Sequence, residues 1–149
     1  FMDDKNLAKA VIVGHSMGSH IAQRIAVTAP ERVEKLVLIG SATTLRLDAV
    51  FELQKAVSEF TDEVPLEFVR EFQYSTVYRE LPEDFMNRVI AESLKLPAHV
   101  WREVMKGMMD SDSKDELHKI TAPTLIMWGE KEAYFLFDEQ EALLSAIPN

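Results

Sequence analysis

The sequence predicts an α/β fold in which parallel strands are joined by crossover helices and an all-helical segment is inserted between the second and third strands. Three observations predict it. Short apolar runs closed by glycine stand at residues 8–13, 35–39 and 124–128. A helical pattern joins the first run to the second, as a parallel pair requires. Between Asp48 and Lys119 the β-branched runs vanish, glycine occurs only at Gly107, and prolines punctuate a helical periodicity.

The first run, residues 8–13, is rich in β-branched residues and stops at Gly14, which suits a buried parallel strand. Met17, Ile21, Ala22, Ile25 and Ala26 then recur at steps of three and four, the apolar stripe of a helix. Ala29-Pro30 ends it, because the residue before a proline is driven out of the helical region. Residues 35–39 form the second strand, closed by Gly40. Four helical stretches follow, carrying Val50, Leu53, Val57 and Phe60; Phe68, Val69 and Phe72; Phe85, Met86, Val89, Ile90 and Leu94; and Val100, Trp101, Val104, Met105 and Met108. Pro65, at the head of the second stretch, suits a first helical turn. After Ala122-Pro123 comes the third strand, 124–128, stopped by Gly129, then a polar loop Glu130-Lys131-Glu132 and a last helix over 138–146. The organisation expected is thus a core over 1–47, a helical insertion over 48–119 and a return to the core over 120–149.

Composition narrows the function. The chain carries 25 Asp plus Glu against 16 Lys plus Arg, a net charge of −9, and a field of that sign repels phosphate backbones, so nucleic acid is not an expected partner. No apolar run is long enough to span a bilayer. Cysteine is absent, which removes disulfides and thiolate chemistry. No signal peptide is visible, so a cytoplasmic setting is expected. The chain opens at Phe1 and reaches a strand almost at once, so an incomplete start is expected too. A partial sheet would leave apolar edges open, and self-association through those edges follows as an expectation.

The chemistry concentrates at Gly14-His15-Ser16-Met17-Gly18. A serine hydroxyl is a poor nucleophile at neutral pH and needs a base within reach and donors for the oxyanion. The G-x-S-x-G pattern places such a serine on a sharp strand-to-helix turn, with glycines where side chains would collide. By composition alone the pentapeptide arises in roughly one chain in twenty of this length. The strand before it and the helix after it make the difference here. The backbone N–H of Met17, at the positive end of that helix, is the candidate oxyanion donor.

The run Val11-Ile-Val-Gly-His-Ser-Met-Gly-Ser-His-Ile-Ala resembles the nucleophile elbow of the α/β-hydrolase superfamily. The segment 29–40 is similar to that family's next helix end and strand, and Ala122-Pro-Thr-Leu-Ile-Met-Trp-Gly to the strand that carries the triad acid. The resemblance implies a partial α/β-hydrolase fold, with the insertion in the place of the family's cap. It implies Ser16 as nucleophile and Glu132, where the family usually has aspartate, as the triad acid. Glu130 and Asp138 are the alternates. The family's order is serine, acid, histidine, yet His15, His20, His99 and His118 all precede Glu132. Each of the four reads as structural or solvated, His99 being the one that could approach substrate, and the base is expected outside this chain. The loop that supplies the second oxyanion donor is expected there as well. The activity implied is cleavage of an ester, lactone or related acyl substrate, without metal or organic cofactor. The apolar residues of the insertion read first as its own core, while the flexible Met105, Met108 and Met109 suit a pliable apolar pocket, and Trp101 and Met105 are the positions expected to tune acyl preference. A non-catalytic binding protein on the same fold is the alternative.

Overall fold

The structure, a computed structural model, describes residues 1–148. The chain divides into two compact units, one built from residues 1–45 with those from Ser111 onward, the other from Arg46–Asp110.

The first unit is organised by a parallel sheet of β1 (Ala10–His15), β2 (Val33–Ile39) and β3 (Thr124–Met127), in the order β1-β2-β3. Helix α1 (Met17–Thr28) makes the crossover from β1 to β2. The register pairs His15 with Ile39 and Ile39 with Met127. All three strands therefore end level, and the loops that leave them emerge side by side.

Side chains alternate across a strand, and one set of alternating positions builds the core. Leu36 and Leu38 are fully buried, and Ile12 and Ile126 pack beside them. Ala22 and Ala26 of α1 lie against this set, and their small size lets the helix approach closely. Leu117, Ile120, Leu143 and Ile147 complete the cluster. The opposite set, Val11, Val13, Leu125 and Met127, is about half exposed. The expectation of strands buried on both faces is thus met on one face only among the described residues. β3 also stops one residue short of the predicted run, at Met127.

Segment 111–119 departs from the expected organisation. Its texture groups it with the insertion, but the short 3-10 helix Lys114–Lys119 puts Leu117 into the core of the first unit. Arg24 of α1 reaches Glu116 of the same turn at 2.8 Å.

The second unit contains α2 (Asp48–Ser58), α3 (Leu66–Ser75), α4 (Glu83–Ser93) and α5 (Ala98–Asp110), with α2 packed on α5 and α3 on α4. Pro65 and Pro82 stand at the N-caps of α3 and α4, where a missing N–H costs nothing. The unit has its own core of Val64, Val69, Ile90 and Ala98, flanked by Phe60, Phe68 and Trp101. Trp101 meets Phe68 and Phe72 edge-on, with ring centroids 5.8 and 5.7 Å apart. Arg102, next in the chain, donates to the carbonyl of Thr61 at 2.9 Å and to that of Phe60. Met105 is buried as well. Trp101 is thus used in the packing of the helices themselves, the core reading of the insertion.

That placement predicts a stability effect. Trp101→Ala should lower the unfolding free energy by about 3 kcal/mol, the scale of deleting a large packed aromatic. Urea melts of the variant and its parent check this. Unchanged stability with altered substrate preference would show instead that the indole faces a ligand.

Candidate active site

One residue separates β1 from α1, and it is Ser16. Its backbone holds φ 50° and ψ −123°. Asn6 is the other non-glycine residue with positive φ among the described ones. For a side chain with a Cβ such a conformation costs about 1–3 kcal/mol and persists only where neighbours impose it. Here they do. The Ser16 N–H donates to the Ile39 carbonyl at 3.0 Å, and the Ser16 carbonyl accepts from the Ser19 N–H at 2.8 Å and from the Ser19 hydroxyl at 2.6 Å. The serine side chain is left exposed at the tip of the turn.

The two flanking glycines are not equivalent. A Cβ on Gly14 would lie 2.2 Å from the Gly18 carbonyl oxygen and 2.7 Å from the Ser19 Cα, so only glycine allows strand and helix to meet there. A Cβ on Gly18 would meet nothing within 4 Å. The collision expected at both positions is confined to Gly14, because α1 turns its Gly18 Cα toward open space. Met17 opens α1, and its N–H belongs to the first turn, whose donors have no carbonyl four residues back within the helix.

Glu132 lies in the loop after β3. Its N–H donates to the Gly129 carbonyl at 2.9 Å, and its Oε1 accepts from the Tyr134 N–H at 2.9 Å. The Trp128 indole donates to the Phe135 carbonyl at 2.8 Å and pins the far side of the loop. Oε2 points the other way. It stands 3.4 Å from where a Cβ on Gly40 would be, and ring atoms Cδ2 and Nε2 of His15 stand 3.7 Å from the same point. Gly40 has φ 51°, a region that favours glycine, and its N–H donates to the Met127 carbonyl at 3.0 Å. Ser16 thus sits beyond β1 and Glu132 beyond β3, on the two sides of β2, with His15 facing the same small gap as the Glu132 carboxylate. Glu130 is solvated beside Lys131, and Asp138 accepts from the Glu139 N–H at 3.0 Å in the first turn of α6 (Phe137–Ala146).

The remaining histidines are dispersed. His99 on α5 and His118 in the 3-10 turn are exposed. His20 on α1 is half-buried, edge-on to Phe135 at 5.9 Å, and its Nε2 is buried without a hydrogen-bond partner. Burial pushes its pKa down to about 4, with Asp112 pulling weakly the other way, so the imidazole is neutral at ordinary pH.

Below the elbow lies a set of polar side chains that sequence reasoning misses. Ser19, Gln23, Ser41 and Gln140 are 0, 0, 0 and 4% exposed. The Ser19 and Ser41 hydroxyls are 2.7 Å apart, the Gln23 amide donates to Ser41 Oγ and to the Ala42 carbonyl at 2.9 Å each, and the Gln140 amide donates to the Ser41 carbonyl at 2.9 Å. The available signal is that Ser19 and Gln23 fall one helical turn apart, next to the apolar stripe of Ala22 and Ala26. No group of metal-ligating side chains and no helix long and apolar enough to cross a membrane occurs among the described residues.

Comparison with known proteins identifies the family and the fold. A family model described as serine aminopeptidase, S33, matches residues 2–149. A 2-hydroxy-6-oxononadienedioate/2-hydroxy-6-oxononatrienedioate hydrolase of Cupriavidus pinatubonensis (strain JMP 134 / LMG 1197) is 29% identical over 157 residues, covering 99% of this chain and 54% of that protein. The chain thus spans about half the length of such curated relatives. Among solved structures, an esterase from Exiguobacterium antarcticum superposes with a TM-score of 0.83 at 24% identity, over 99% of this chain and 58% of its own. A hydrolase from Pseudomonas aeruginosa PA01 gives 0.80 at 24% identity, over 99% and 56%. These likenesses show the α/β-hydrolase fold, here as three neighbouring parallel strands with their helices.

The neutral His20 carries a pH prediction. Its folded pKa of about 4 lies below the ordinary 6.5, so the unfolded chain takes up a proton that the folded one refuses. Stability from this group is full above pH 6.5 and is lost as pH falls toward 4, by up to about 3 kcal/mol. His20→Phe should remove that part of the slope. Urea melts at pH 7 and 4.5 test it: an equal loss in parent and variant would show that carboxylates alone set the acid limit.

Proposed function

We propose, since the chain belongs to the serine aminopeptidase S33 family of α/β-hydrolases, that the whole protein is a serine hydrolase acting through an acyl-enzyme on an ester, lactone or related acyl compound. The observation that carries this reading is the left-handed backbone of Ser16 between a parallel strand and a helix. A strained turn that lifts one hydroxyl into solvent is what a nucleophile needs, and joining a strand to a helix does not by itself require the strain.

In the proposed reaction Ser16 Oγ attacks the carbonyl carbon. A histidine outside these 149 residues takes its proton as general base and returns it to the leaving group. Glu132 orients that histidine and stabilises its cation, its Oε1 held by Tyr134 and its Oε2 left facing the gap. The Met17 N–H receives the oxyanion, with a second donor from outside the chain. Water then releases the acyl group by the same route.

A second substrate reading has a specific source. The curated relatives at 29% identity are named for a 2-hydroxy-6-oxo dienedioate. Its 6-oxo group is a ketone carbonyl; once the 2-hydroxydiene has taken its 2-oxo tautomer, attack there by Ser16 would break the C5–C6 bond and form the acyl-serine, the electron pair passing into the conjugated 2-oxo system and the proton taken from Ser16 returning to the departing fragment. Pocket chemistry, not the triad, separates the two.

Two predictions follow from these assignments. Ser16→Ala in the intact protein should abolish labelling by a fluorophosphonate and lower turnover by several orders of magnitude, leaving the roughly 10³–10⁴-fold advantage over water that binding and the oxyanion hole supply. Turnover is to be measured on p-nitrophenyl esters and on a 2-hydroxy-6-oxo dienedioate in parallel. Near-normal turnover of the variant on both would refute the nucleophile, and a protein that binds either compound without labelling is a binding module. Glu132→Asp should retain more activity than Glu132→Gln, because aspartate keeps the charge that stabilises the imidazolium. A more active glutamine variant would remove Glu132 from the triad.

A further inference from the structure

We infer that Ser41 is a positioning residue for the proposed reaction: through Ser19 it holds the Ser16–Met17 peptide at the angle that aims the Met17 N–H at the oxyanion. The inference rests on the serine-hydrolase reading above and deepens it.

The hydrogen atoms of the buried network can be placed by counting. The Ser16 carbonyl oxygen and Ser19 Oγ are 2.6 Å apart. Two oxygens that close need a proton between them, and a carbonyl has none to give. The single hydroxyl proton of Ser19 therefore goes to Ser16. Ser19 and Ser41 hydroxyls stand 2.7 Å apart, so Ser41 supplies the proton of that bond. Ser41 Oγ is then free to accept from the Gln23 amide at 2.9 Å. The other amide hydrogen of Gln23 goes to the Ala42 carbonyl at 2.9 Å. A flipped amide would set two acceptors face to face there, so the orientation of Gln23 is forced. The result is a relay with one direction, from the Gln23 amide through Ser41 and Ser19 to the Ser16 carbonyl. In such a chain each bond polarises the next and strengthens it.

The carbonyl at the end of the relay is not an arbitrary acceptor. The Ser16 C=O and the Met17 N–H belong to one planar trans peptide and point in opposite directions. Fixing the first fixes the second. The ψ of −123° at Ser16 is the torsion that sets this plane, and the relay holds it together with the Ser19 N–H, which donates to the same carbonyl at 2.8 Å. On the other side, the Ile39 carbonyl holds the Ser16 N–H. Ser41 is itself anchored, since its carbonyl accepts from the Gln140 amide of α6. The network leaves Gln23 Oε1 and Gln140 Oε1 buried without partners.

The test uses the intact protein with Ser41→Ala, Ser19→Ala and both together. Fluorophosphonate labelling of Ser16, kcat and KM on an ester, and melting temperature are measured for each. An oxyanion donor acts in the transition state. Each single variant should therefore label about tenfold more slowly and lose kcat about tenfold with KM unchanged, one relayed hydrogen bond being worth that factor. The double variant should be no slower than the slower single, because both break the same relay. Wild-type labelling rates in a folded Ser41→Ala protein, or losses that multiply in the double variant, overturn the inference. If Ser41→Ala fails to fold, Ser19→Ala alone removes the last link and decides by the same rates. Absence of labelling in the unsubstituted protein overturns the hydrolase reading itself, and with it this one; normal labelling with unaltered rates in the variants overturns this one alone.

Discussion

At Ser16 the backbone occupies a conformation that a residue with a Cβ avoids, and the surrounding structure has to oppose the cost of about 1–3 kcal/mol. The opposition comes from both peptide planes. On the N-terminal side the N–H is tied to Ile39 at the end of β2, and on the C-terminal side the carbonyl is tied twice to Ser19 in the first turn of α1. Closing the turn this tightly brings the Gly14 Cα against the Gly18 carbonyl, and the missing side chain at Gly14 is the condition for all of it. The serine's own N–H and carbonyl are engaged in this way, and its hydroxyl is left exposed.

The sheet register extends the same constraint to the neighbouring loops. His15, Ile39 and Met127 lie level, so each strand delivers its loop to one line. The middle loop must stay low for the outer two to approach across it. Gly40 does this with a left-handed φ and no side chain, its N–H bonded to Met127. The longer arm of Glu132, one methylene beyond aspartate, is folded back by the Tyr134 N–H and fills part of the space above Gly40. Length in the acid and absence of bulk in the middle loop are thus complementary.

What was legible in the sequence was local. The elbow announces itself through glycine spacing, the strands through short β-branched runs, and the helices of the second unit through periodicity between prolines. What was not legible depends on which neighbour a residue meets. Ser19 and Gln23 look like the polar side of α1, yet both face the loop after β2 and are fully buried. Trp101 can be read from sequence as core or as a ligand contact, and its ring neighbours Phe68 and Phe72 place it in the packing of the second unit. Gly18 repeats the motif without sharing the collision at Gly14. Leu117 sits in a segment whose composition matches the insertion, while its contacts lie with the sheet.

The polar material beneath the elbow shows why stability and positioning diverge here. Apolar side chains of equal volume at Ser19, Gln23 and Ser41 would relieve an unpaired buried acceptor and increase apolar packing, and exchanges of that kind are often neutral or favourable for folding. Dispersion and burial have no direction, however, and cannot hold a peptide plane against its torsional preference. Hydrogen bonds can, because their strength falls steeply with angle. A core that has to define ψ at one residue must therefore contain donors and acceptors in a fixed sequence, and must bear the desolvation of the ones left over.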